Sequence, residues 1–500
     1  MQKTRCVNSA KRISPTERHL SMTIEYEAVI GLETHIQLNT LTKIFCSCKA
    51  DSWNDPPNTN ICPVCTGLPG VLPVLNKAAV EKAMLLAAAM NAEIQPISYF
   101  DRKNYFYPDL PKGYQISQYN LPIARGGYLV FPMPDGTERK VTIHKMHLEE
   151  DAGKTKNDFG RRLIDFNRCG VPLVEMVTGP DLHSADEAAQ YILRLRQLLR
   201  WIGVSEADME KGHLRCDANV SIRPKGTSIL NPKTEIKNVN SIVAIRESIQ
   251  TEVQRQIREV QAGHPIESWT LEWDEESGIL RKMRSKETEA DYRYFREPDL
   301  LSLEIDEQWK NEVLSTLPEL PLQRRARFVA QYGLPVYDAD ILTTERSLSE
   351  YYEAALSAYQ GDPKRVSNWI INDLLRILND LAISAVELKI TPTYLAQIIR
   401  MVDDGTINNT TAKALLDKVQ SSGKEPAAIV SEEGLAKVSD AEALERLIAQ
   451  LITDNPEQVA NYRKGKTGLL GWFVGQVMKQ TQGKADAQLA RSILEKYLAE

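Results

Sequence analysis

The sequence predicts an α+β protein, in which a mostly antiparallel sheet domain is followed by an all-α domain and a helical tail. Residues 24 to about 300 alternate strand-like runs with loops rich in Pro, Gly and Asn, and the remainder has the apolar periodicity of helices. Three helices interrupt the first part without regular βαβ repetition, which favours an antiparallel sheet. We expect the sheet domain at 23–318, the helical domain at 319–433 and the helical tail at 434–500.

The composition of the 500 residues is that of a globular chain, with 42% hydrophobic and 26% charged residues. This excludes disordered, collagen-like and coiled-coil classes. No apolar stretch is both long enough and free enough of charge to cross a bilayer. The formal net charge of −6 means that any contact with nucleic acid depends on a local basic patch.

Residues 1–22 form a basic leader, with five Lys or Arg residues against one acid. We interpret it as disordered, or as an upstream start that precedes the functional start at Met22. An organelle transit peptide is the alternative. The seven cysteines and the absence of a secretory segment indicate reduced thiols, so we expect a cytoplasmic protein unless the leader is a transit peptide.

Three helices of the sheet domain have recognisable starts. Asn76 is a capping residue, Ser184 forms a capping box with Glu187, and Asn240 precedes a long amphipathic segment. We expect these helices to end near residues 91, 203 and 263.

Two predicted strands place chemically reactive side chains on one face. In the run 29–38, Glu33 and His35 lie opposite an apolar face, and in the run 214–222 the same holds for Arg215 and Asp217. A solvated sheet face is the alternative interpretation. That alternative predicts a mixture of Lys, Thr and Glu, whereas this face combines Glu with His and Asp with Arg.

Two further runs add carboxylates. Residues 141–151 contain Glu149 and Glu150, which alternation sends to opposite faces, so one of them can join a shared site. Residues 234–238 offer Glu235. Carboxylates from neighbouring strands repel unless a cation compensates them, and oxygen ligands with one imidazole suit Mg²⁺ or Mn²⁺. The sequence therefore predicts a metal–nucleotide site.

The phosphate-binding loop of Walker type is not present. Two Gly-Lys-Thr triplets, at 153–155 and 465–467, have Leu148 and Ala460 where the first glycine belongs. We expect the metal and side chains to neutralise the phosphates instead. Arg215 and Arg223 are candidates because guanidinium groups pair with phosphate through two hydrogen bonds, although either one is alternatively an ordinary surface charge.

Four cysteines have the pairing of a structural zinc ribbon. Cys46 and Cys48 form C-x-C, and Cys62 and Cys65 form C-x-x-C. Four thiolates close a tetrahedral shell, which predicts a structural Zn²⁺, with four incidental buried thiols as the alternative. His144 and His147 suggest a hydrolytic zinc site, but strand spacing puts them on opposite faces, and we interpret both as structural.

The chain ends in a basic segment. Residues 461–500 carry seven basic residues against three acids. This asymmetry suits RNA phosphates, with a solvated helix face as the alternative.

Six motifs together resemble the family of aspartyl/glutamyl-tRNA amidotransferase B subunits. The resemblance runs from about residue 22 to the end, and residues 465–479 are similar to the YqeY-type module of that family. The motifs are GLETH at 31–35, NICPVC at 60–65, DRKNYFYPDLPKG at 101–113, HLEEDAGK at 147–154, RCDANVS at 215–221 and DYRYF at 291–295.

The resemblance implies a catalytic cradle related in fold to glutamine synthetase. It implies that ATP and Mg²⁺ serve to phosphorylate the side-chain carboxylate of Glu on tRNA(Gln) or of Asp on tRNA(Asn). Ammonia would then displace phosphate. It implies a heterotrimer in which an amidase (glutaminase) partner releases ammonia from glutamine and a small third partner clamps the two together. A non-catalytic tRNA-binding scaffold and a zinc hydrolase are the alternatives.

The resemblance also assigns roles to residues by motif. The resemblance implies that the carboxylates and the imidazole of the predicted polar strand faces take part in metal and phosphate chemistry, and that four of these residues bind Mg²⁺. These four are Glu33, His35, Glu150 and Asp217. Glu235 joins the catalytic set, and Glu149 does so more weakly. Lys103 and Lys112 resemble residues along an ammonia entry route, and the four cysteines match the zinc-binding members of the family.

Overall fold

The computed structural model describes residues 24–158, 160–285, 289–436, 441–481 and 485–499. The leader expected at 1–22 lies outside the described residues. The chain forms two compact units, one of residues up to 196 with 204–315, and one of 197–203 with 316 onwards. None of the described helices is long and apolar enough to cross a membrane.

The described strands all belong to the first unit. In chain order, they are β1 Tyr26–Gln37, β2 Glu93–Ile94, β3 Ile97–Ser98, β4 Asp101–Asn104, β5 Tyr114–Ser117, β6 Ala124–Arg125, β7 Tyr128–Pro132, β8 Glu138–Glu150, β9 Lys154–Asp158, β10 Arg161–Asp165, β11 Pro172–Thr178, β12 Leu214–Pro224, β13 Thr234–Val239, β14 Trp269–Asp274, β15 Ile279–Ser285, β16 Phe295–Arg296 and β17 Leu303–Glu304.

Thirteen of these strands form one sheet. Its central path runs β15-β14-β13-β12-β1-β11-β8-β5-β4-β16; β6 and β7 also pair with β8, and β2 pairs with β6. Every pair is antiparallel except β13 with β14, which is parallel. The α+β class and the mostly antiparallel sheet are confirmed.

Two of the three predicted helix starts are confirmed, and the third lies one residue later than predicted. The Asn76 side chain accepts from Ala78 N, and the Ser184 hydroxyl accepts from Glu187 N at 3.1 Å. The third helix is capped by Ser241 instead of the preceding Asn240. The helices are α1 Lys77–Ala89, α2 Ala185–Trp201, α3 Ile242–Gln261 and α4 Glu307–Leu314, with a 3₁₀ turn at Glu289–Tyr292.

The two faces of the central strands differ as alternation predicts. On β1, Ile30, Leu32 and Ile36 are buried, while the charged residues between them are partly open. Helix α3 packs against β12 and β13, where the Gln256 side-chain amide donates to the carbonyl of Val220 at 3.0 Å. With its apolar side chains buried, the sheet presents its polar side chains on the opposite face.

The second unit is helical, as predicted for this part of the chain. Its described residues form two buried cores, one within 328–430 and one within 444–498. The helices are α5 Pro321–Tyr332, α6 Val336–Leu342, α7 Arg346–Tyr359, α8 Pro363–Trp369, a π-helical turn Ile370–Leu374, α9 Leu375–Leu381, a 3₁₀ turn Ala385–Glu387, α10 Pro392–Asp403, α11 Asn409–Ser422, α12 Pro426–Glu432, α13 Ala441–Asp454, α14 Pro456–Arg463, α15 Leu469–Gln480 and α16 Ala487–Ala499.

Candidate active site and metal centres

Four adjacent strands align their titratable side chains in one row. His147 on β8 stands opposite Glu175 on β11, which stands opposite His35 on β1, which stands opposite Arg215 on β12. Side chains directly opposite in neighbouring strands point to the same face and contact each other. The antiparallel register therefore brings together groups that lie far apart in the sequence.

The row, together with the carboxylates two residues away on the same strands and the same face, provides two sets of ligand atoms with the spacing of a cation site. One set comes from Glu33, His35 and Asp217, where Glu33 and Asp217 are also cross-strand partners. The other comes from His35, Glu149 and Glu175. Within each set the atoms lie within 4.8 Å of one another. Ligands at about 2.1 Å from a single Mg²⁺ are about 3–4 Å apart, so both sets fit a hard divalent cation.

A cavity of about 290 Å³ lies over the row. Lysines and tyrosines complete its lining, and Tyr119 stacks on Tyr294 with ring centroids 3.9 Å apart. The Lys103 ammonium lies 5.0 Å from the Tyr292 ring centroid. The site thus combines anionic side chains at its base with cations that suit a phosphorylated ligand. These cations are Lys103, Lys145 and Lys237.

Glu175 lies between two imidazoles. Its Oε2 atom is 3.5 Å from His35 Nε2 and 3.4 Å from His147 Nε2. Burial raises the pKa of Glu175, but the charge and hydrogen bond of His147, and then those of His35, outweigh it and hold the pKa well below its usual range. Burial lowers the pKa of His147, but Glu175 and Glu149 outweigh it and raise that pKa to about 9.

Burial and neighbouring charges also shift the pKa values of Glu33 and Lys237, which lie beside the row. Burial, followed by the neighbouring carboxylates of Glu175 and Asp217, raises the pKa of Glu33. Lys237 contacts Asp217 at 2.7 Å, and despite burial the carboxylates of Asp217 and Glu235 raise its pKa. Repelling carboxylates flanked by a lysine indicate a place where additional positive charge is stabilised.

Glu235 lies beside this cluster. Its Oε2 atom accepts from the Thr270 hydroxyl at 3.1 Å, and its Oε1 atom is 3.8 Å from Lys237 Nζ. Glu235 lines the cavity, as do Glu33 and His35.

The choice between Glu149 and Glu150 is corrected by the structure. Glu149 lies on the face of the row, where its Oε2 accepts from Ser117 at 3.2 Å. Glu150 lies on the opposite face, where it pairs with Lys112 and accepts from Ile116 N. The prediction that Glu150 and Glu33 bind the same Mg²⁺ is therefore wrong, because successive residues of a strand point to opposite faces and Glu150 points away from Glu33.

The three other predicted cationic residues are dispersed. Arg223 lies six residues beyond Asp217 on β12, about 20 Å along the strand, and pairs with Glu27 at 2.6 Å. Its predicted place in the nucleotide site is wrong for that reason. Arg215 pairs with Asp151 at 2.9 Å at the end of the row, and Lys112 lies on the opposite face with Glu150.

Sequence reasoning missed three members of the cluster. Glu175 is the single charged residue of the run PLVEMVT, which is a detectable signal because buried strands rarely retain an unpaired charge. Strand spacing predicts a structural role for His147, yet its imidazole contacts Glu175. Lys237 alternates with Glu235 on the same strand, and its pairing with Asp217 follows from a register that the sequence does not specify.

The four predicted zinc ligands converge. The sulfur atoms of Cys46, Cys48, Cys62 and Cys65 lie within 4.8 Å of one another. Tetrahedral Zn–S bonds of about 2.3 Å require sulfurs about 3.8 Å apart, and Cys62 and Cys65 have this separation, 3.8 Å. Lys43 is fully buried with its ammonium 3.6 Å from the Cys65 sulfur, which compensates thiolate charge. The residues fit a structural zinc ion.

Two models of known protein families match the chain. A family model described as the GatB/GatE catalytic domain matches residues 28–311, and one described as the GatB domain, of the YqeY type, matches residues 350–498. The first spans the whole row and the cysteine cluster, and the second lies in the helical unit.

Curated relatives are similar over nearly the whole chain. A protein of Thermodesulfovibrio yellowstonii is 48% identical over 95% of this chain and 100% of its own length. One of Carboxydothermus hydrogenoformans is 47% identical over 95% and 99%, and one of Crocosphaera subtropica is 46% identical over 95% and 98%. Each of these relatives is named as the B subunit of aspartyl/glutamyl-tRNA(Asn/Gln) amidotransferase.

Proposed function

The chain belongs to the family of aspartyl/glutamyl-tRNA(Asn/Gln) amidotransferase B subunits, and from this premise we propose that it activates and amidates the side-chain carboxylate of Glu on tRNA(Gln), Asp on tRNA(Asn), or both. The reaction class is an ATP-dependent carbon–nitrogen ligation with glutamine as nitrogen donor, carried out within a multi-protein complex.

The chemistry begins with a carboxylate, which is a poor electrophile. A carboxylate oxygen attacks the γ-phosphorus of ATP, ADP leaves, and an acyl phosphate results. Ammonia then attacks the acyl carbon, inorganic phosphate leaves, and the nitrogen loses a proton to give the amide. Every step places negative charge near the row of strands, where cations are needed to stabilise it.

The observation that carries the proposal is the pair of ligand sets joined at His35. Glu33, His35 and Asp217 would hold a divalent cation, Mg²⁺ or Mn²⁺, and His35 with Glu149 and Glu175 is the alternative set of ligands, because one imidazole nitrogen binds one cation at a time. Such ions supply charge neutralisation for the transferring phosphoryl group. This set replaces the one expected from the sequence, which included Glu150.

The chain's own cations complete the proposed site. Lys103 and Lys237 line the cavity, and neighbouring carboxylates raise the pKa of each despite burial, so both stay charged at neutral pH. Two ammonium groups in the lining of the cavity would orient phosphate oxygens toward the row. The large antiparallel sheet with one polar face supports a cradle of the glutamine-synthetase type.

Ammonia would come from a partner. The relatives are named as one member of a larger enzyme, which agrees with a complex. We propose a heterotrimer in which an amidase (glutaminase) supplies the ammonia and a small protein is the third member. Lys112 and Lys103 lie on opposite faces of the sheet, with the Lys112–Glu150 ion pair on the face away from the row. We propose that ammonia reaches the row past this ion pair and Lys103.

The cysteine cluster and the tail have supporting roles in this proposal. A structural Zn²⁺ would close the segment 46–65, and the basic segment 461–500 within the tail 434–500 would bind tRNA phosphates. A scaffold that binds tRNA without catalysis leaves the row of carboxylates and imidazoles without a role, so we favour the enzyme.

Replacement of Asp217 tests the proposal. In the complex co-purified with its amidase partner, Asp217→Asn should lower ATP-dependent amidation of Glu-tRNA(Gln) and Asp-tRNA(Asn) by at least about 100-fold, because it removes a charge from the ligand set. Affinity for tRNA should persist. Asp186→Asn, on the exposed first turn of α2, is the matched control. Unchanged turnover in Asp217→Asn would contradict the assignment.

A further inference from the structure

A second cavity, of about 640 Å³, adjoins the catalytic row. Gln37 and Arg215 line it. Gln37 follows His35 by two residues on β1, so it lies about 7 Å along the strand from His35 and on the same face, and Arg215 is the end member of the row on β12. A ligand that fills this cavity can therefore extend one end into the carboxylate cluster.

An exposed aromatic ring lines this cavity close to two ammonium groups. Trp53 is 49% exposed, and the Nζ atoms of Lys154 and Lys211 lie 5.0 and 5.9 Å from its ring centroid. The three residues come from separate segments, namely the loop between the cysteine pairs, the start of β9 and the loop before β12. An exposed indole flanked by cations is a surface on which a nucleobase stacks while its phosphates meet positive charge.

The indole is held by a tethered loop. Trp53 N donates to Asp51 Oδ1 at 3.2 Å, and Asn58 N donates to Asp165 Oδ1 on β10 at 3.0 Å. The cysteine cluster closes both ends of the loop. A loop that is already held in place loses little conformational entropy when a ligand stacks on its Trp53 indole.

The base of the cavity has unmet hydrogen-bonding capacity. Among the described residues, the buried atoms His213 Nδ1 and Arg215 Nε have no hydrogen-bond partner, and both residues line the cavity. Buried polar atoms are nearly always paired, so a polar ligand or water is expected to meet them.

We propose that the Trp53 cavity binds an adenosine group, with the base stacked on the indole. This inference rests on the proposed function, in which two substrates carry adenosine: ATP, and the tRNA, whose 3′ end is an adenosine that bears the amino acid. Either one must deliver its reacting end, the γ-phosphate or the side-chain carboxylate, to the row beside this cavity.

Two variants of Trp53 in the purified complex test the site. Trp53→Ala should raise KM for ATP or KM for mischarged tRNA by about tenfold or more, with kcat within about twofold, since stacking is lost while the row is intact. Trp53→Phe keeps an aromatic face and should recover most of the loss. A rise confined to ATP identifies the nucleotide as the ligand, and a rise confined to tRNA identifies the acceptor end.

Trp309→Ala is the matched control, because Trp309 also has a lysine over its ring, Lys77 at 5.5 Å, and does not line the cavity. Neither KM should change in this variant. Unchanged KM values in Trp53→Ala, or a loss of kcat that Trp53→Phe does not recover, would overturn the site.

Equilibrium binding separates this inference from the proposed reaction. ADP and uncharged tRNA are titrated into the Asp217→Asn complex with and without Trp53→Ala, so that no turnover is needed. Weaker binding of one of them in the double variant supports the cavity even if the amidation assay fails. Equal binding of both overturns it even if amidation is confirmed.

Discussion

The carboxylate of Glu175 lies 3.4 Å from the imidazole of His147, its direct cross-strand partner. The same carboxylate oxygen lies 3.5 Å from His35 on the other side. A single buried acid thus orients two imidazoles, one of which belongs to both proposed ligand sets. This arrangement makes Glu175 the residue whose loss should disturb the row most widely.

Glu175→Gln should reduce amidation by about 10–100-fold or more, because the neutral amide neither stabilises a charged His147 nor offers a carboxylate to a cation. The pKa of His147, raised to about 9 chiefly by Glu175, should fall in this variant. Amidation kinetics and NMR titration of the His147 ring measure the two effects. Glu304→Gln, on the separate ladder of β3 and β17, serves as control, and an unaltered His147 titration would refute the coupling.

Loss of one thiol should release the metal from the cysteine cluster. Cys48→Ser should lower the zinc content from about one ion per chain toward none and make the segment 46–65 sensitive to protease, since a structural zinc contributes folding free energy directly. Elemental analysis and limited proteolysis provide the readouts. Cys216→Ala, in the sheet core, should retain its zinc, and a Cys48→Ser chain with full zinc content would argue against a four-thiolate site.

Removal of residues 434–500 should weaken tRNA binding while leaving the row of strands intact. The tail has its own buried core around Phe473 and Leu494, so its deletion removes a folded body together with the basic residues of 461–500. We expect about a tenfold or greater increase in Kd for tRNA and a shallower dependence of Kd on salt. Filter binding at several salt concentrations checks this, with circular dichroism as the folding control; an identical binding curve would exclude the tail from tRNA recognition.

Acid should weaken the helical unit through Glu319. Hydrogen bonds from Arg327, and from Arg324, outweigh burial and lower the pKa of Glu319. A carboxyl with a lower pKa in the folded state adds stability above its unfolded pKa, and this contribution disappears as pH falls through the folded value. Because Glu319 is partly exposed, Glu319→Gln should cost about 1 kcal/mol at neutral pH and progressively less at acidic pH, as the Glu319 carboxyl becomes protonated in the folded protein.

Denaturant unfolding at neutral and at acidic pH measures this difference. Glu350→Gln is the control, because its pair with Arg346 is about half exposed and should contribute less. A loss of stability in Glu319→Gln that is equal at both pH values would contradict an electrostatic origin.

Local patterns predicted which side chains come together in two clusters. Alternation in β1 and β12 identified Glu33, His35 and Asp217 as members of one polar face, and the structure brings their ligand atoms within 4.8 Å. The cysteine spacing likewise predicted a convergence that the structure contains. These predictions succeed because the two-residue period of a strand and the reach of a C-x-x-C turn are local properties of the backbone.

The side chains that meet in the row depend on how the strands pair. β11 pairs between β1 and β8, and this order places Glu175 between His35 and His147 and selects Glu149 over Glu150 for the row. The helices, the alternating strands and the two pairs of thiols are predictable from local sequence, since each depends on residues close together in the chain. Strand order and register depend on which apolar faces pack together over more than a hundred residues, so the composition of the row emerges only in the folded sheet.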